Sequence, residues 1–227
     1  MIMPANKTLG AAAALAICIS RMDAQAVPQD PCATASPQPK HLLVIFPNHD
    51  VAPCLSPYVP IGAKVKFKIA SADAFDPGGI AVAVVSAGLA QSLNSNRPFG
   101  QEVSGYARYF GAAYANHVIV DFLSEGVYPS LLHQDPRYFR KGRGSTAARL
   151  GYAISRVFRT QTDAGSTSFN YSRMLGASST VAISSLYYAH HRDAADAAAG
   201  LGVRIGGAIG ANILNEFWPD FLEKLRH

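Results

Sequence analysis

His117, Asp121 and Glu125 stand at i, i+4 and i+8 in an apolar-periodic stretch, so a helix there carries an imidazole and two carboxyls as one polar stripe. That set is half of a metal site or an acid/base pair. His133 and Asp135 follow in the next corner and extend the list of catalytic candidates. The spacing holds no H-E-x-x-H or E-x-x-H pair and no second ligand helix, so it assigns no metal and indicates no cofactor. A structural reading competes: Arg149 and Arg156, on the following helix, have the charge to hold Asp121 and Glu125 as partly buried ion pairs.

A second set lies in "LLHQDPRYFRKGRGS", residues 131–145. Pro136 discourages helical geometry at Asp135, Gly142 and Gly144 prolong the turn, and Ser145 is placed to cap a new helix. Arg137, Arg140, Lys141 and Arg143 beside that helix start are candidate anion ligands for a phosphate or a lipid headgroup. The stretch lacks the spacing of a phosphate-binding loop, and a solvated turn explains the glycines equally well. No G-x-S-x-G elbow accompanies the many serines. His190 and His191 close a helix, where imidazoles complement the dipole. Phe217, Trp218 and Phe221 in "NEFWPDF" read as core closure or as an interfacial aromatic anchor.

The elements that must position these groups are helices. Asp76 and Pro77 form an N-cap and first helical residue, and the helix they open runs through "IAVAVVSAGLAQSLN". A long pattern from about Phe99 to His133 is interrupted by Gly126 and Pro129. Further helices are expected over 146–159, 171–188 and from 193 to the end, with a bend near Pro219. Period-2 alternation is nowhere sustained, so the fold class is mainly α: a compact bundle of about five or six helices.

Small residues recur at spacings of four: Gly79, Ala83 and Ala87; Ala147, Gly151 and Ser155; Ser172, Gly176, Thr180 and Ser184; and Gly202, Gly206 and Gly210, a glycine-zipper-like run. Such stripes let helix backbones approach closely, within a tight bundle, at a membrane or between copies of the chain. The apolar run Gly78 to Ala90 is only 13 residues, too short to span a bilayer. Arg204 interrupts the apolar run of the last helix, which favours a water-soluble or surface-associated bundle over a polytopic membrane protein, while mean hydropathy near zero, +0.09, keeps the second reading open.

Residues 1–26 have the parts of a secretory signal: Lys7, an apolar run from Leu9 to Ile19, and Ala24-Gln25-Ala26 as a cleavage site. The expected destination is the periplasm or cell envelope. Loss of Lys7, Arg21 and Asp23 lowers the net charge of +5 by one, leaving a mildly basic chain. Its basic residues are dispersed and not interleaved with aromatics, which argues against a nucleic-acid partner and leaves an anionic membrane surface open. Cys32 and Cys54 then remain as an even pair in a proline-dense stretch, and an oxidising compartment favours a disulfide, stabilising by about 3 kcal/mol. Residues 27–59 carry too much proline for a helix or a central strand and read as an irregular arm ahead of a helical domain over 60–227.

The ordered series "FPNHD", "KFKIASADAFDP", "FGQEVSGYARYFGAAYANHVIVDF", "SLLHQDPRYFRKGRGS", "RLGYAISRVF", "TQTDAGSTSFNYS", "ISSLYY" and "NEFWPDF" resembles a family of uncharacterised exported bacterial proteins. The resemblance covers about residues 42–227; it implies a single exported module and transfers no site. The leading expectation is therefore a non-catalytic envelope protein, associated with the membrane surface or with itself through Gly202, Gly206 and Gly210. The alternative is a periplasmic hydrolase or metal-dependent enzyme using the His/Asp/Glu stripe.

Overall fold

The computed structural model describes residues 41–42, 46–47, 50–52, 55, 57–188 and 193–226. The expected signal segment, the Cys32–Cys54 pair, and His190 and His191 lie outside the described residues. Within them the chain is mainly α, with helices α1 (Ala63–Ala74), α2 (Pro77–Ser92), α3 (Val103–Asp121), α4 (Tyr128–Leu131), α5 (Thr146–Phe158), α6 (Tyr171–Ser184) and α7 (Ala194–Arg226). Strands are short: β1 (His41–Leu42) pairs antiparallel with β2 (Phe46–Pro47), β3 (Val51–Ala52) parallel with β4 (Tyr138–Phe139), and β5 (Arg159–Gln161) antiparallel with β6 (Thr167–Phe169). The β3–β4 pair fastens the N-terminal arm to the corner that precedes α5.

Helix starts follow local chemistry. Asp76 accepts the Gly79 amide at 2.9 Å with Pro77 behind it, Ser145 accepts the Ala148 amide at 3.3 Å, and Asn170 accepts the Arg173 amide at 3.0 Å. Each satisfies an amide that the first helical turn leaves without a partner.

Between α3 and α4 the backbone widens into a π-helical segment, Phe122–Val127. Pro129 has no N–H to return to the Glu125 carbonyl four residues earlier, so regular α-helical bonding fails there. The Gly126 carbonyl is met instead by the Ser130 hydroxyl at 2.6 Å. A wider turn rotates the side chains that follow it, and Ser124 and Glu125 both end up buried, 6 % and 8 % exposed.

The core is built largely from small side chains, including fully buried Ala70, Ala74, Ala87 and Ala153. Two of the four small-residue stripes are packed. Gly79, Ala83 and Ala87 of α2 are buried where α2 lies along α3, and a Cβ at Gly79 would stand 1.9 Å from His117 Nε2. Ser172, Gly176 and Thr180 of α6 are buried too, and a Cβ at Gly176 would stand 2.1 Å from Ser124 Oγ and 2.9 Å from Ser124 Cα. By contrast, a Cβ at Gly202, Gly206 or Gly210 meets nothing within 4 Å. The glycine run of α7 faces outward.

α7 runs as one helix through Pro219. It packs on α5 and α6, with Asn212 and Glu216 bonded to α5 and Gly200 beside Val181 of α6. Residues Ala194–Leu225 are long and apolar enough to cross a membrane, with mean hydropathy 1.4 over an 18-residue window that is only 6 % buried. Large apolar side chains also stand out on α2, with Val82, Val85 and Leu89 all more than half exposed.

Candidate functional site

The stripe His117–Asp121–Glu125 lines a cavity of about 960 Å³ between α2, α3, α6 and α7. Its walls are mostly apolar, with Val82, Val120, Met174, Val181 and Val203 among the residues that form them. Asp50 from the arm and Arg173 from α6 join the stripe in the lining, as does Ser124. Val82 and Val203 line the cavity and are half or more exposed, so it opens to the surface between α2 and α7.

His117 Nδ1 lies 3.2 Å from Asp121 Oδ2, as expected for i and i+4, but the pair lacks hydrogen-bond alignment, and Asp121 Oδ2 is a buried oxygen without a hydrogen-bond partner. Three neighbouring polar atoms share that state: His117 Nε2, Ser124 Oγ and Glu125 Oε2. Buried polar atoms are nearly always hydrogen-bonded, and four exceptions on consecutive turns of one helix mark a site rather than a core.

The electrostatics follow from burial. Desolvation pushes the Glu125 carboxyl well up from its ordinary range, and the negative charges of Asp73 and Asp50 push further. Asp121 is raised well too, by burial and then by Glu125, with Arg173 pulling the other way. Asp73 of α1, backed against Glu125, is pushed up to about 8 by burial and by Asp50 and Asp121. Burial lowers His117. At neutral pH Asp73 is thus held mostly protonated and His117 neutral, and the raised carboxyls of the cluster give up protons when a positive charge arrives.

Arg149 and Arg156 do not complete this site. The Arg149 Nε donates to Glu216 Oε1 at 2.8 Å and its guanidinium also meets Asp220, both on α7, while Arg156 lies over the Tyr152 ring at 5.8 Å. The expected pairing of Asp121 and Glu125 with these arginines is replaced, for Arg149, by an α5–α7 lock, because α7 packs on α5 and brings Glu216 and Asp220 to it.

His133 and Asp135 stand in a separate cluster. Asp135, fully buried, accepts from Arg137 Nε and Nη2 and from the Tyr58 hydroxyl at 3.0 Å. His133 adopts a left-handed backbone (φ 51°), its side chain is 82 % exposed, and its Nδ1 is 3.6 Å from Asp163. Asp163 in turn receives the buried Lys66 ammonium at 2.8 Å. The five catalytic candidates therefore divide, three in the cavity and two in this polar lock around the corner.

The four anion-ligand candidates are placed differently again. Arg137 is taken by Asp135, and Arg140 donates to the Glu216 carbonyl at 2.9 Å and to Asp220. Glu216 itself is fully buried and sits where an external anion would: its carboxylate accepts the amides of Lys141 (3.0 Å) and Gly142 (2.8 Å), Arg149 Nε and the Tyr138 hydroxyl (2.8 Å). Lys141 lies 5.9 Å from the Tyr152 ring, and Arg143 is engaged as well. The chain supplies its own anion to this nest.

Asp50, Asp73 and Ser124 are site residues that the spacing did not point to. Asp73 lies in "SADAFDP", where Asp76 carries the visible cap signal, and only the packing of α1 on the π-helical segment brings Asp73 to Glu125. Comparison with family models, with curated proteins and with solved structures finds no match.

Proposed function

We propose that the chain is an exported cell-envelope protein, a non-catalytic helical bundle that associates with a membrane surface through the outward apolar faces of α7 and α2. The observation that carries this reading is α7, an apolar helix whose most hydrophobic window is 6 % buried. Contiguous apolar surface of that kind is costly in water and marks a face that meets lipid or another protein. An in-plane position is favoured over a span, because Arg204 faces the cavity and Asn212, Asn215 and Glu216 are buried against the body. The positive net charge adds attraction to anionic headgroups.

Flotation with phosphatidylethanolamine/phosphatidylglycerol vesicles tests it. The chain is expected to rise with the vesicles, and Val85→Asp with Gly206→Asp, both outside the cavity lining, to return most of it to the soluble fraction. A chain that stays entirely soluble beside such vesicles contradicts the reading. A hydrolase or metal-dependent enzyme built on all five sequence candidates has less support, since Asp135 is bound by Arg137 and His133 faces Asp163 instead of the cavity.

A further inference from the structure

We propose that the cavity is a binding site for an organic cation with an apolar body, its ammonium seated among Asp121, Ser124 and Glu125 and its apolar part along the wall of Val82, Val120 and Val203. The carboxyls alone would not argue for a ligand. Ser124 Oγ and Glu125 Oε2 do, because both belong to side chains more than nine-tenths buried, both lack a hydrogen-bond partner, and both residues line the cavity. An ammonium has three donors and no acceptor, which matches three oxygens left without donors, Asp121 Oδ2, Ser124 Oγ and Glu125 Oε2, while the Glu125 carboxyl is also hydrogen-bonded to Asp73.

The charge balance selects a cation over an anion. Asp50, Asp121 and Glu125 line this end of the cavity, with Asp73 behind them and Asp76 capping α2, against the one guanidinium of Arg173. A metal ion is a poorer fit: among the described residues no group of three or more His, Cys, Asp or Glu side chains is arranged to hold one. The walls favour an organic body, because apolar lining with a few convergent polar groups, at about 960 Å³, is the make-up of a small-molecule pocket. Arg204, bonded to Asn116 at 3.1 Å, limits the ammonium to the Glu125 end.

Binding must release protons. With Asp73 pushed up to about 8 and Asp121 and Glu125 also raised, an arriving ammonium converts protonated carboxyls to carboxylates. Asp73, Asp121 and Glu125, the raised carboxyls around that seat, gain charge as pH rises, beside a His117 lowered by burial, with Asp50, Asp76, Arg173 and Arg204 the other charged groups facing it. Affinity for the cation therefore rises with pH. The site does not depend on membrane association, and its test contains no lipid.

Titration calorimetry of the full chain with octylammonium, octanol and octanoate is the experiment. Octylammonium is expected to bind at least about tenfold more tightly than octanol, octanoate not at all, and the octylammonium affinity to increase from about pH 6 to about pH 8.5, where an alkylamine is still protonated. Glu125→Gln and Asp121→Asn are each expected to remove the preference for octylammonium over octanol while leaving octanol binding in place. Equal affinities for octylammonium and octanol in the unaltered chain would overturn the proposal, as would tight binding of calcium or zinc alone that Glu125→Gln abolishes.

Discussion

The carboxylate of Glu216 accepts the Arg149 guanidinium at 2.8 Å with both side chains out of water, and this contact joins α5 to α7. A buried ion pair owes much of its importance to what is left when one partner goes. Here removal of the Glu216 carboxylate would leave Arg149 Nε, the Tyr138 hydroxyl and the amides of Lys141 and Gly142 without this acceptor, Arg149 keeping only Asp220 and a backbone carbonyl. Glu216→Ala is expected to cost about 3–5 kcal/mol in urea unfolding. A loss under about 1 kcal/mol would mean that α7 is not locked to the body in this way.

Gly176 and Gly202 make opposite predictions. In a helix, alanine is favoured over glycine by about 1 kcal/mol, so Gly202→Ala, with nothing within 4 Å of the added carbon, should raise stability slightly. Gly176→Ala places that carbon 2.9 Å from the Ser124 backbone, and a net loss of about 1–3 kcal/mol is expected. Thermal melts of the two variants decide. A stabilised Gly176→Ala would show that α6 does not approach the π-helical segment this closely.

The outward glycine run also separates lipid from self-association. If copies pair through Gly202, Gly206 and Gly210, Gly206→Leu should abolish a dimer seen by light scattering, since the added side chain holds two backbones apart. On the membrane reading, the same variant should bind vesicles at least as well as the parent, because leucine adds apolar surface to an outward face.

The pH dependence of stability should run in an unusual direction. Asp73, Asp121 and Glu125 have folded pKa values raised above those of the unfolded chain, so their contribution is fully present below the unfolded carboxyl range and is lost as pH rises through the folded values. His117, lowered by burial, acts oppositely, but only below about pH 6.5. Between about pH 6.5 and pH 8 stability is therefore expected to fall, and the share owed to Asp73 to level off above about 8. Asp73→Asn should flatten the decline. A denaturation midpoint constant across this window would contradict the account of the cluster.

Much of the helical framework was legible in the sequence, because it is written in short-range chemistry. The Asp76–Pro77 start, the Ser145 cap and the stripe at His117, Asp121 and Glu125 each depend on residues within a few positions, and each is found in the fold. What was not legible depends on long-range partners. Arg149 was free to meet Asp121 or Glu216 as far as spacing goes, and the choice was made by the docking of α7 on α5. The widening at Phe122–Val127 was hidden for a different reason: Gly126 and Pro129 signal an interruption, but not whether the chain turns away or continues as a broader helix. It continues, and so Ser124 joins the cavity.

Membrane contact of α7 is the claim on which the functional reading stands, and hydrogen exchange of residues 194–211 measures it most directly. These residues form the half of α7 that precedes its buried anchor at Asn212, Asn215 and Glu216. With anionic vesicles present, their amides are expected to exchange at least about tenfold more slowly than in buffer, as local opening is suppressed, while 146–158 stay unchanged. Equal exchange of 194–211 with and without vesicles would contradict it.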